Sequence, residues 1–279
     1  MANPVSDYSI PFHSHDSYHR AYLKDVSPTQ PSIQSLFANI TTLDSSMVCR
    51  YQEEAQRRGE TLTFGQAAAR CLRETWQDPP GSSVFQRVDL TGDFFCQELI
   101  EAFQKYGSGI SHLKLSTFNI PYWKGGALEG MFANMCALES LSIEKSNFNE
   151  ALDLDSLPRL KSLRLIDCSF LQRPPRIPPE NVLETLEMLR CEALAFPPDL
   201  THAKCLKKIR LAVCDALVDA PAIPKGSLLE ELDLWGCGAL CHMPPIPRAP
   251  HLKVINLSGC TRLTAEPLFQ EWSEARIVR

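Results

Sequence analysis

Six times in its second half the chain repeats one nine-residue pattern: apolar residues at positions 1, 4 and 6, and a small residue at position 9. The copies begin at Leu138, Leu160, Leu183, Leu206, Leu229 and Leu252, so one spacing of 22 residues is followed by four of 23. Position 9 is Ser146 in the first copy and Cys168, Cys191, Cys214, Cys237 and Cys260 in the rest. A further leucine follows three residues later at Leu194, Leu217, Leu240 and Leu263. Such repetition constrains the fold more than composition does. A unit of this length cannot bury its own apolar edge, so the units must stack and share one core. Positions 4 and 6 alternate as a strand does, which predicts strands lying side by side in a parallel sheet.

This period and spacing are those of a leucine-rich repeat. The fold class they predict is α/β: a leucine-rich-repeat solenoid of about eight coils with an N-terminal helical cap. Two weaker copies complete the count, Phe85-x-x-Val88-x-Leu90 and Ile110-x-x-Leu113-x-Leu115. Their units are 25 and 28 residues long, and the extra length predicts helix near 94–105 and 128–135. In the later coils proline punctuates the return path at Pro174-Pro175, Pro197-Pro198, Pro221, Pro244-Pro245 and Pro267. Proline cannot donate to a strand ladder or continue a helix, so the convex side should be extended or 3₁₀-like.

The domain organisation follows from where the pattern changes. Residues 1–31 are rich in Ser, Pro, His and Tyr without periodicity and read as a flexible tail. Residues 32–80 read as a helical-hairpin cap. Ile33, Leu36, Phe37, Ile40, Leu43, Met47, Val48 and Tyr51 fall at helical spacing, and Arg57-Arg58-Gly59 makes the turn. Thr63-x-x-Gln66 is a capping box that opens a second helix, which Asp78-Pro79-Pro80-Gly81 ends. Residues 81–279 form the solenoid.

Composition excludes several classes of function. A net charge of −5 over 279 residues argues against nucleic acid as partner. No apolar run approaches the length of a membrane span, and the first twenty residues lack the apolar core of a Sec signal. Five of the eleven cysteines share position 9, which predicts a buried ladder of reduced thiols suited to a reducing compartment. The trio His13, His15 and His19 has no carboxylate or cysteine in register, so no metal site and no cofactor is expected. Nucleophile-elbow, phosphate-loop, zinc-protease and dinucleotide motifs are all absent. The acidic pairs Asp153/Asp155 and Glu230/Glu231 have no nucleophile tied to them. No catalytic residue is assigned, a small-molecule ligand is not expected, and the chain reads as a binder.

Its binding residues should lie on the concave side of the sheet. Position 2 reads Glu139, Lys161, Glu184, Lys207, Glu230, Lys253, and position 5 reads Ser142, Arg164, Glu187, Arg210, Asp233, Asn256. Charge alternates from coil to coil, which predicts attractive lateral ladders. Positions 7 and 8 add an apolar stripe of Ile166, Leu189, Val213 and Trp235, flanked by Arg190, Arg210 and Asp233. Apolar anchors ringed by charge are the pattern of a protein-binding hot spot, and these seven residues are the expected partner-binding set.

The run Leu229-Leu-Glu-Glu-Leu-Asp-Leu-Trp-Gly-Cys237-Gly-Ala-Leu240, followed by Met243-Pro-Pro, resembles two groups. One is the C-terminal repeats of plant nucleotide-binding immune receptors. The other is the leucine-rich effectors that bacteria deliver by type III secretion, above all the Xanthomonas outer-protein L kind, which carry a ubiquitin-ligase module after the repeats. The resemblance covers roughly residues 84–279. It implies an effector module that binds a host protein in the host cytosol, reached without a Sec signal. It extends to the substrate-recognition part of an E3 ubiquitin ligase. Two alternatives stand beside it: intrinsic E3 ubiquitin transferase activity in this chain, and a repeat fragment of a plant immune receptor. The chain departs from the effector pattern by ending at Arg279, soon after the last repeat, so the resemblance carries over no ligase residue.

Overall fold

The computed structural model describes residues 42–77, 82–83, 85–92, 95–118, 127–149, 151–265, 267 and 275–279. The tail, the histidine trio and the first turns expected of the cap, Ile33 to Ile40, lie outside them.

Each repeat lays down one strand, and the strands stack in sequence order. Ten pair into a single parallel sheet: β1 (Thr42–Asp44), β4 (Arg87–Thr91), β5 (His112–Ser116), β6 (Ser140–Glu144), β7 (Ser162–Ile166), β8 (Thr185–Leu189), β9 (Lys208–Ala212), β10 (Glu231–Asp233), β11 (Val254–Asn256) and β12 (Arg276–Val278). A two-residue antiparallel pair, β2 (Trp76–Gln77) with β3 (Ser82–Ser83), stands apart. This is a leucine-rich-repeat solenoid. The eight expected strands are all present, and β1 and β12 add one at each end. The register is regular: Arg164 lies opposite Glu187, Glu187 opposite Arg210, Arg210 opposite Asp233 and Asp233 opposite Asn256.

Positions 1, 4, 6, 9 and 12 close the core. In the fourth coil Leu206, Ile209, Leu211, Cys214 and Leu217 are all at most 1% exposed. Burying one such leucine contributes about 1.5–3 kcal/mol, which is why the pattern is repeated so strictly. From the back the core is sealed by Ile177, Leu200, Ile223 and Ile246, four residues at equivalent places in successive coils.

The thiol ladder is built into the turn after each strand. The position-9 carbonyl accepts from the position-12 N–H at 3.0–3.2 Å, from Leu171 to Cys168 through Leu263 to Cys260, closing a tight i→i+3 turn. The thiol lies within donating distance of the position-6 carbonyl of the preceding coil. Cys168 meets Ile143 at 3.6 Å, Cys191 meets Leu165 at 3.6 Å and Cys214 meets Met188 at 3.5 Å. Contact with the preceding thiol of the ladder, together with burial, pushes Cys191 and Cys214 up to about 12. For both, the bond to the preceding cysteine of the ladder is the largest cause. All eleven cysteines are free thiols.

The convex side is extended in the later coils, as the prolines require. Single parallel bridges join Asp153 to Arg176 and Asp219 to His242 across it. Helices occur on the N-terminal half: α1 (Ser45–Arg57), α2 (Phe64–Glu74), α3 (Gln97–Tyr106) and α4 (Ala127–Phe132). Within the described residues, the helical spacing expected from Ile33 to Tyr51 is met from Ser45 onward, in α1. Asp44 accepts from the Met47 N–H at 2.9 Å and caps α1 there, while Thr42–Asp44 is drawn into the sheet beside β4. The capping box of Thr63 and Gln66 is present on both sides, with bonds of 3.0 and 3.2 Å. Its helix packs between α1 and α3.

Candidate functional site on the concave face of the sheet

Strand positions 3, 5 and 7 face away from the core, so the sequence of those positions is the sequence of a surface. Position 5 forms a continuous polar row. Arg164 Nε lies 2.8 Å from Glu187, Arg210 Nη1 lies 3.9 Å from the other oxygen of Glu187, and Arg210 Nε lies 2.8 Å from Asp233. Asn256 then donates to Asp233 at 2.9 Å. Glu187 and Asp233 are buried by their neighbours, at 8% and 5% exposed. The position-2 row pairs in isolated, exposed couples: Glu139 with Lys161 at 3.0 Å, Glu184 with Lys207 at 2.7 Å and Glu230 with Lys253 at 2.5 Å.

Position 8 has a property that spacing alone does not reveal. It is left-handed in seven successive coils: Thr117, Lys145, Asp167, Arg190 and Val213 at φ 51–60°, then Gly236 and Gly259 at 75° and 78°. The strand ends there and the chain turns into the next coil. Most of these residues are polar or glycine. Val213 is the aliphatic exception; like Thr117 it is β-branched, a side-chain type that rarely adopts this region. Arg190 and Asp167 also pair here, Nη2 to Oδ2 at 2.8 Å with a second, shorter bond from Nε. The Arg190 guanidinium holds the Asp167 carboxyl below its ordinary range.

Asp233 and Asn256 reshape the last coils. Asp233 accepts from the N–H of Trp235 at 3.1 Å, and Asn256 accepts from the N–H of Ser258 at 3.1 Å. A short polar side chain that captures the backbone two residues on competes with the ladder. This is why β10 and β11 have three residues where β6 to β9 have five. In the same two coils the thiol draws closer to the carbonyl behind it: Cys237 to Leu211 at 2.9 Å and Cys260 to Leu234 at 3.1 Å. Trp235 thus lies just past the strand end, 50% exposed. The Val213 N–H still donates to its carbonyl at 2.8 Å.

Together these features make a groove of about 420 Å³ across β8 to β11, lined by Leu189, Arg190, Arg210, Ala212, Val213, Asp233, Trp235 and Asn256. Six of the seven expected binding residues meet in it. Ile166 does not line it and sits one strand away, in register with Leu189. Ala212 and Asn256 also line it; they stand at repeat positions 7 and 5 and are not among the seven. Among the described residues no group of three or more His, Cys, Asp or Glu could hold a metal ion, and no helix is long and apolar enough to cross a membrane.

Neither a protein-family model nor a curated protein matches the chain. Among solved structures, the chain is similar to a leucine-rich-repeat protein of Leptospira interrogans, with 15% identity and a TM-score of 0.33 over 75% of this chain. The chain spans 58% of that protein's length.

Proposed function

We propose that the chain is a protein-interaction module and that its partner seats on the concave groove centred on Trp235. The observation that carries this reading is the half-exposed indole of Trp235, walled by Leu189, Ala212 and Val213. A large, half-exposed aromatic side chain beside satisfied polar groups is the kind of residue that concentrates binding energy in interfaces. The repeat resemblance supports a finer reading: a bacterial effector delivered by type III secretion, engaging a host protein in the host cytosol as the recognition part of an E3 ubiquitin ligase. The free thiol ladder supports a reducing destination. Affinity capture from host cytosol on the immobilised full chain tests both levels, with Trp235→Ala run in parallel. Retention of a host protein by the wild type and its loss with the variant supports the reading. Equal retention by both moves the interface elsewhere.

A further inference from the structure

The groove also says what kind of group it takes. This step rests on the reading of the groove as an interface and goes further, to the chemistry of the occupant.

Every charged group lining the groove is already answered from within the chain. Arg190 is held by both oxygens of Asp167. Arg210 lies between Asp233, at 2.8 Å, and Glu187, at 3.9 Å. Asp233 accepts from Arg210, from Asn256 at 2.9 Å and from the Trp235 N–H at 3.1 Å. Asn256 spends its oxygen on the Ser258 N–H at 3.1 Å. The row Arg164, Glu187, Arg210, Asp233 sums to zero, two cations against two anions. A charged partner group placed here would have to break one of these pairs or be buried without its own, and either is costly. What the groove offers unspent is apolar: the indole of Trp235 and the side chains of Leu189, Ala212 and Val213.

Val213 adds an apolar wall at the repeat position that is left-handed in seven successive coils. A volume of about 420 Å³ lies at the small end of ligand pockets, enough for one or two side chains and too small for a folded surface.

We infer that the groove receives one uncharged apolar side chain, of leucine or phenylalanine type, from an extended segment of a partner protein, and that ionic attraction contributes nothing to its capture. Affinity comes from the desolvated walls. The polar rim excludes charged residues at that position of the partner and does not attract them.

The test uses the full chain with ¹⁵N-labelled tryptophan and reads the Trp235 indole N–H resonance, assigned by its loss in Trp235→Ala. The probes are N-acetyl-leucinamide, N-acetyl-phenylalaninamide, N-acetyl-aspartamide and N-acetyl-lysinamide. The apolar amides should shift the resonance saturably, with the charged amides roughly tenfold or more weaker. The apolar response should hold between about 50 mM and 500 mM salt, where screening erases exposed charge effects. Val213→Lys should abolish the response while the protein stays folded, since Lys145 already occupies the equivalent left-handed position at φ 51°. Equal or tighter binding of a charged amide, or a response that fades with salt, overturns the inference. So does a resonance that moves on dilution without probe, which makes a second copy the occupant. An indole already shielded in the free monomer from a soluble paramagnetic agent makes the chain's own segment the occupant and overturns it too. Absence of any probe response, with Trp235 still needed for capture of the partner, removes this inference and leaves the interaction face standing.

Discussion

At the scale of single residues, two repeat positions carry the structural cost of the turn. Position 9 needs a small side chain that tolerates burial and meets a backbone carbonyl, and cysteine does both. Because the preceding thiol and burial hold Cys191 and Cys214 up to about 12, native protein at pH 8 should resist alkylation at both until it is unfolded. Mass spectrometry of labelled peptides reads this, and rapid native labelling would contradict the ladder. The sign for stability follows. A thiol whose folded value is raised contributes stability that is complete below its unfolded value, about 8.5, and is lost as pH rises toward the folded one. The melting temperature should therefore begin to fall on the alkaline side of about pH 8.5. Position 8 needs a left-handed backbone. Gly236→Ala places a Cβ at φ 75°, 3.3 Å from Val213 Cγ2, and should cost about 1–2 kcal/mol in chemical unfolding. An unchanged midpoint would mean that the turn relaxes freely.

At the scale of elements, the two charge rows are unequal, which their alternation in the sequence does not disclose. The position-5 row is continuous and half-buried, whereas the position-2 row is a set of exposed couples. Lys207 has a direct bond to Glu184 only, with Glu230 acting at longer range. Lys207→Glu should therefore shift the urea midpoint slightly, and less in high salt. Arg210→Met is different. It removes the cation between two carboxylates that are 8% and 5% exposed. Losing one partner of a buried pair costs several kcal/mol. Asp233 keeps Asn256 and the Trp235 N–H, so the expected loss is reduced to about 2–3 kcal/mol. Equal midpoint shifts for the two variants would show that burial does not distinguish the rows. Strand existence and register were legible because apolar residues recur at positions 4 and 6 without slippage. The shortening of β10 and β11 was not, since it depends on Asp233 and Asn256 competing for the backbone, a local contest that periodicity does not record. The break in helical spacing at Thr42–Asp44 was hidden for a related reason. Leu43 keeps the helical spacing, yet Thr42–Asp44 gains more by pairing with β4.

At the scale of the whole molecule, the sheet is both the scaffold and the surface. The same repeat that buries positions 4 and 6 aligns positions 5 and 7 of successive coils, so residues 23 apart in sequence become one face. That is why six of the seven residues expected on the concave face line one groove, and why Ala212 joins them only once the register sets it beside Trp235. Position 8 was read as simply solvent-facing because spacing gives no information on the sign of φ. The central claim is that the Trp235 groove serves a partner and not the fold. The direct test is Trp235→Ala in the full chain, with thermal melting and affinity for the captured partner measured on the same preparation. Position 7 faces away from the core, so the melting temperature should barely move, while binding should weaken by about 2–4 kcal/mol. Loss of the folded state, or an affinity equal to that of the wild type, would contradict it.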